Sequence, residues 1–116
     1  MKKLLYLLII TCVSCSENNE KIIKNASSFP IGSSVRINSF LKDTVLVNIQ
    51  KKHFNSITSG NDMKMYTILK SENDYNWERV DKLLNYAQEN NQRFFGHNLI
   101  WHFSTPNWIL EKAKKA

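Results

Sequence analysis

The chain has few residues that punctuate or staple a fold. It holds three glycines and two prolines in 116 residues. That excludes a collagen repeat and Gly/Pro-rich low complexity. Cysteine is rarer still where it would matter, because Cys12 and Cys15 both lie in the first fifteen residues. The rest of the chain has no thiol for a disulfide framework, a thiolate zinc site or a cysteine nucleophile. Long apolar runs are missing too. Residues 4–13 form a compact apolar stretch, but a membrane span needs roughly 20. Acidic residues are outnumbered, 10 against 16 basic, for a formal charge of +6. Setting aside Lys2 and Lys3 lowers this to +4. Setting aside the three lysines and one glutamate of the last six residues lowers it to +2. The basic excess therefore sits at the two ends, and no nucleic-acid groove is read from it. With 42% hydrophobic, 11% aromatic and 22% charged residues, the chain is globular in character. Its length fits one small domain or a piece of a larger one.

The first residues read as an address. Met1-Lys2-Lys3 is a basic n-region, and residues 4–13 are an h-region. Ser14-Cys15-Ser16 follows, a small residue directly before a cysteine. This resembles a bacterial lipoprotein processing site, with Cys15 as the lipidated residue and Cys12 as the alternative. The expected organisation is a signal peptide over residues 1–15, a polar tether over 16–28 and a domain over 29–116. Such a chain would be exported and held at the cell envelope or surface through a lipid anchor, or else secreted.

Residues 29–35 read as a first strand entered through Pro30. Residues 36–42 read as a loop. Asp43 is placed to cap a helix from 44 to about 53, with Val45, Leu46, Ile49 and His53 on one side. Residues 54–58 suggest a second strand, 59–62 a turn, and 63–73 a long connection with a helical turn near 63–66. Asn76 can cap a second helix, in which Trp77, Val80, Leu83, Leu84 and Ala87 recur at three- and four-residue steps. Asn90-Asn91 can stop it, since Asn tolerates the left-handed conformation. Residues 93–101 read as a third strand, and Thr105-Pro106 as the cap and first position of a last helix. Strand and helix alternate three times, which predicts an α/β fold with parallel strands and right-handed crossovers. A (β/α)8 barrel takes about 250 residues, so three such units amount to less than half of one.

Four ordered stretches sharpen this. They are Phe29-Pro30-Ile31-Gly32, His53-Phe54-Asn55-Ser56-Ile57-Thr58, Asn61-Asp62-Met63-Lys64, and Gly96-His97-Asn98-Leu99-Ile100-Trp101-His102 with Thr105-Pro106-Asn107-Trp108 beyond it. In order and spacing they resemble glycoside hydrolase family 10, the endo-β-1,4-xylanases. The resemblance covers roughly residues 29–110. It implies a TIM barrel of which this chain is the N-terminal part, about three β/α units. It also implies cleavage of the xylan backbone with retention and no cofactor. The glycone-side substrate-binding residues that it implies are Asn61 and Lys64 after the second strand, and His97 and Trp101 on the third. Residue chemistry suits those roles. Asn61 offers a donor and an acceptor to neighbouring hydroxyls. Lys64 offers a charged donor. His97 can bond a hydroxyl near the scissile bond, and Trp101 gives a flat apolar wall. Without the motif, each has an ordinary reading as a turn, surface or core residue. A metal site on His97 and His102 is not expected, since residues five apart on a strand point to opposite faces.

Two positions depart from the family pattern. Gly60 stands where the family has a glutamate, and Ser104 where it has a glutamine. Both remove polar contacts, each worth about 0.5–1.5 kcal/mol. Retaining glycosidases need two carboxyl groups about 5–5.5 Å apart. In the family both glutamates lie on later strands, past the position matching Ala116, so this chain alone is expected to be inactive. The alternative reading is a catalytically dead remnant or a weak carbohydrate-binding module. The expected partners are xylan or xylo-oligosaccharide and a membrane reached through the lipid anchor, with no nucleic acid.

Overall fold

The computed structural model describes residues 21–98 and 100–116. The leader and Cys15 lie outside the described residues. Three strands form a parallel sheet: β1 (Gly32–Val35), β2 (Ser56–Ser59) and β5 (Arg93–Phe95), in the order β1-β2-β5. Gly32 pairs with Ser56 and Val35 with Ser59, while Ser56 pairs with Arg93 and Thr58 with Phe95. The expected alternation of parallel strands and helices is thus present. Among the described residues the α-helices are α1 (Ile37–Phe40), α2 (Thr44–His53), α3 (Met65–Ile68), α4 (Glu78–Glu89) and α5 (Asn107–Ala113).

Register divides the sheet into two unlike faces. Ser33, Val35, Ile57, Ser59 and Phe94 share the face that α2 and α4 cover. Gly32, Ser34, Ser56, Thr58, Arg93 and Phe95 share the other face. The covered face holds the core, where Ile57 packs with Ile37, Phe40, Leu83, Tyr86 and Ala87, flanked by Val35, Val47 and Phe94. Burial of each large apolar side chain there contributes about 1.5–3 kcal/mol. Phe40 meets Tyr86 edge to face at 5.0 Å.

The helices form for the local reasons that the sequence suggests, with some corrections. Asp43 caps α2, its Oδ1 accepting from Val45 N at 3.0 Å and Leu46 N at 3.1 Å. The apolar side of α2 is not its buried side, because Val45, Leu46 and Ile49 stay exposed while Gln50 is buried. Asn76 Oδ1 accepts from Glu78 N at 3.1 Å at the head of α4. Val80, Leu83 and Ala87 of α4 are buried as the periodicity requires, together with Tyr86, which the pattern passed over. Asn91 ends the helix with φ 50°. The expected loop over 36–42 instead contains α1, because Ile37 and Phe40, three apart, both reach the core. The expected connection over 63–73 contains α3 and an antiparallel pair, β3 (Leu69–Ser71) and β4 (Asp74–Tyr75), turning at Asn73 with φ 66°. Thr105 does not cap α5. Its hydroxyl donates to Trp101 O at 3.1 Å, and Pro106 takes the cap position. The end of the expected tether is docked on the domain. Ile23–Asn25 forms a 3-10 turn, and Lys24 Nζ donates to Lys51 O at 2.9 Å in the last turn of α2.

Buried amides bind the elements at the N-terminal end of the sheet. Gln50 Nε2 donates to Ser56 O at 2.9 Å, and its Oε1 accepts from Ser33 Oγ. Gln92 Nε2 donates to Gln50 O and Phe54 O, both at 3.0 Å. Asn55 Oδ1 accepts from Ile31 N at 2.7 Å. Gln50→Ala leaves a buried hydroxyl and a buried carbonyl without their partner, so a loss of about 2 kcal/mol is expected in urea unfolding. Burial also raises the pKa of the Tyr86 hydroxyl. The folded state therefore favours the protonated form. That stability is present below about pH 10, the ordinary tyrosine value, and is lost as pH rises through the raised value. Tyr86→Phe is expected to flatten the alkaline limb of a stability–pH curve.

Candidate functional site

The site is built from the segments that leave the C-terminal ends of β2 and β5. Parallel strands deliver both to the same end of the sheet. After β2, the backbone is pinned in steps. Gly60 N donates to Val35 O at 2.8 Å. Asn61 O then accepts from Lys64 N and from Thr67 Oγ1, each at 3.1 Å. With its carbonyl held twice, Asn61 is fixed in the turn and half-buried. Lys64 stands at the N-cap position of α3, and its carbonyl accepts from Thr67 N at 2.8 Å and Ile68 N at 3.1 Å.

After β5 the chain leaves the sheet early. The third strand ends at Phe95, not at residue 101, so His97 and Trp101 follow the strand rather than lying on it. Strand alternation therefore does not describe the His97–His102 relation. His102 opens a 3-10 turn, and its ring lies 4.0 Å from that of Phe103. Gly96 lies against the end of the Met63 side chain: a Cβ on it would stand 3.2 Å from Met63 Cε, so the segment after β5 lies directly on the segment after β2. Trp101 is held by its own carbonyl, which accepts from Ser104 N at 2.8 Å, Ser104 Oγ at 3.2 Å and Thr105 Oγ1 at 3.1 Å.

Two of the four expected residues meet. Lys64 Nζ lies 4.5 Å from the centroid of the Trp101 ring, a cation–π contact across the two segments. Trp101 keeps 39% of its surface exposed. Asn61 is tied to Lys64 through the backbone. His97 is exposed, and among the described residues no hydrogen bond or ring contact joins it to the other three. Gly60 follows Ser59 onto the uncovered face. A Cβ there would lie 3.3 Å from Val35 O and 3.4 Å from Ser34 Oγ, so a longer side chain needs a small shift of β1. Ser104 is buried, with its hydroxyl turned back onto the chain. The sequence reading passed over Asp62, which is 7% exposed, and its partner Arg79. No spacing signal links residues so far apart. The only sign was an acid placed next to a turn.

Comparisons with known proteins agree with this geometry. The model of glycosyl hydrolase family 10 matches residues 18–116. Endo-1,4-beta-xylanase C of Paenibacillus barcinonensis is 38% identical over 87 residues, which is 75% of this chain and 8% of that protein. Xylanase10C of Cellvibrio japonicus, solved as a mutant in complex with xylopentaose, superposes with a TM-score of 0.72 at 32% identity, over 78% of this chain and 20% of that one. The intracellular xylanase TsXylA of Thermoanaerobacterium saccharolyticum gives a TM-score of 0.71 at 30% identity, over 79% and 29%. The chain thus spans less than a third of the length of each. Its three parallel strands are one arc of a (β/α)8 barrel.

Proposed function

The chain belongs to glycosyl hydrolase family 10, and from that premise we propose that it supplies the glycone-side sugar-binding part of an endo-β-1,4-xylanase acting with retention. The observation that carries the reading is the meeting of Lys64 and Trp101 above the C-terminal end of the sheet. In a barrel enzyme that end bears the chemistry. There the indole offers a flat apolar face to a sugar ring and the ammonium offers donors to its hydroxyls. Asn61 adds a paired donor and acceptor from the same turn, and His97 a further hydrogen-bonding group near the point of cleavage.

Hydrolysis is not assigned to residues 1–116 by themselves. Retention needs a close pair of carboxyl groups, and five of the described carboxylates are engaged elsewhere. Asp43 caps α2, and Asp62 is held against Arg79. Glu72, Glu78 and Glu111 pair with Lys112, Lys82 and Lys114. Gly60 favours weak sugar binding as the fallback reading, because the polar contact that the family pattern places there is absent. Attachment to a membrane through Cys15 is part of the same proposal and rests on the leader sequence alone.

Xylotriose titrated into the chain is expected to shift the Trp101 signals with an affinity in the millimolar range, roughly −4 kcal/mol. Trp101→Ala is expected to abolish the effect, and His97→Ala to weaken it without disturbing the core. An unchanged spectrum at saturating sugar would remove the sugar-binding role. For the anchor, Cys15→Ser is expected to move the expressed protein from the membrane fraction to the soluble one. Equal partition of the two forms would remove the lipoprotein reading.

A further inference from the structure

Asp62 is the buried carboxylate in this structure that neither the core nor the sugar contacts explain. Its side chain is 8% exposed, yet it faces two donors from elements distant in sequence. Oδ2 accepts from Ile37 N at 3.2 Å, at the first residue of α1. Oδ1 lies 3.5 Å from Arg79 Nη1, in the first turn of α4. The Ile37 amide is one that a helix leaves without an intrahelical partner. Arg79 is half exposed at 51%, so the arginine reaches in from the surface while the acid stays enclosed. Asp62 therefore ties three elements together at one point: the exit from β1, the turn after β2, and the head of α4.

The turn that it ties is the one that carries Asn61 and Lys64. Asn61 precedes Asp62 directly, and its carbonyl is spent on Lys64 N and Thr67 Oγ1. Lys64 follows two residues later and must hold its ammonium over Trp101, a side chain from a different strand's exit. The hydrogen bonds inside the turn fix its shape. Among the described residues, Asp62 supplies the polar side-chain contacts that fix the turn's position relative to the neighbouring elements. We propose that Asp62 is a positioning residue. Its charge, held by Ile37 N and Arg79, sets the register of the Asn61–Lys64 turn against Trp101 and so tunes grip on the xylo-oligosaccharide. Asp62 does not touch the sugar. The proposal rests on the sugar-binding reading of Asn61 and Lys64, but its primary test uses no sugar.

The test is NMR on the 116-residue chain. Lys64 side-chain protons over the Trp101 ring carry an upfield ring-current shift. Asp62→Asn keeps the size and removes the charge. It is expected to lose at least half of that shift and the exchange protection of the Ile37 amide, while Ile57 and Leu83 methyl signals stay in place. Asp62→Glu restores the charge and is expected to recover most of the shift. Xylotriose affinity is then expected to be roughly tenfold weaker in the Asn variant, the scale of one charge-assisted hydrogen bond. Retention of the Lys64 shift in Asp62→Asn would overturn the proposal. Should that variant lose its core signals, Arg79→Gln decides. Displacement of Lys64 alone upholds the proposal, and an unmoved Lys64 ends it. If the unmodified chain fails to bind xylotriose, the sugar-binding reading falls, while the ring-current result still settles whether Asp62 positions the turn.

Discussion

The constraint on which the rest hangs is the enclosure of amide side chains between α2 and the sheet. Gln50 sits on a helix whose Val45, Leu46 and Ile49 are exposed, and it takes the place that a leucine would fill in an apolar interface. An amide buried there is tolerable only if each of its polar atoms is paired. Gln50 meets this by reaching Ser33, Ser56 and Gln92 together. That one side chain therefore links β1, β2 and the entry to β5 at the end of the sheet opposite the site. Asn55 adds a second link there, joining Ile31 to Arg93, the first residue of β5, through its side chain and its carbonyl. With strand spacing set at that end, the exits at the other end are delivered in fixed relation.

The C-terminal end uses a different device. There the backbone carbonyls of Asn61 and Trp101 each accept more than one hydrogen bond, so each sugar-facing candidate is held from behind by its own main chain. Asp62 then fixes one of these turns to its neighbours by charge. Gly96 packs on Met63 where the two exits meet. The arrangement separates shape from function: hydroxyls and amides set the geometry, leaving the Lys64 ammonium to lie over the Trp101 ring.

Much of this was legible in the residues, for physical reasons that can be named. The α2 boundary was readable because Asp43 is a side-chain cap acting on the amides two and three residues further on. The α4 boundary was readable because its apolar residues follow the turn of the helix and Asn91 accepts a positive φ. The strand positions were readable to within three residues, the first strand starting at Gly32 rather than at residue 29, but the length of the third was not. The sequence over 93–101 is mostly apolar, like a strand, yet the strand stops at Phe95, and beyond it Gly96 packs on Met63 and the Trp101 carbonyl folds back on Ser104 and Thr105. The α1 turn and the β3–β4 hairpin were hidden because each is too short to show a period. The buried face of α2 was misjudged for a deeper reason. A hydrophobic pattern reports which side chains avoid water, whereas Gln50 is buried for its hydrogen bonds. Lys64 and Trp101 were named from the sequence, but their contact was not readable, because it depends on where two turns end in space.

The hold on the Trp101 carbonyl has one further consequence. Three donors converge on that oxygen, and the indole meets Lys64 across its face and Phe103 at 5.4 Å. The backbone and ring of this residue have thus surrendered most of their motion when the chain folds. A sugar ring laid on such a surface has little left to immobilise on the protein's side. Its association is opposed mainly by the sugar's own loss of freedom, and the release of ordered water from the ring favours it. In the proposed sugar complex, the hydroxyls of Ser104 and Thr105, both spent on the Trp101 carbonyl, act on the entropy of binding.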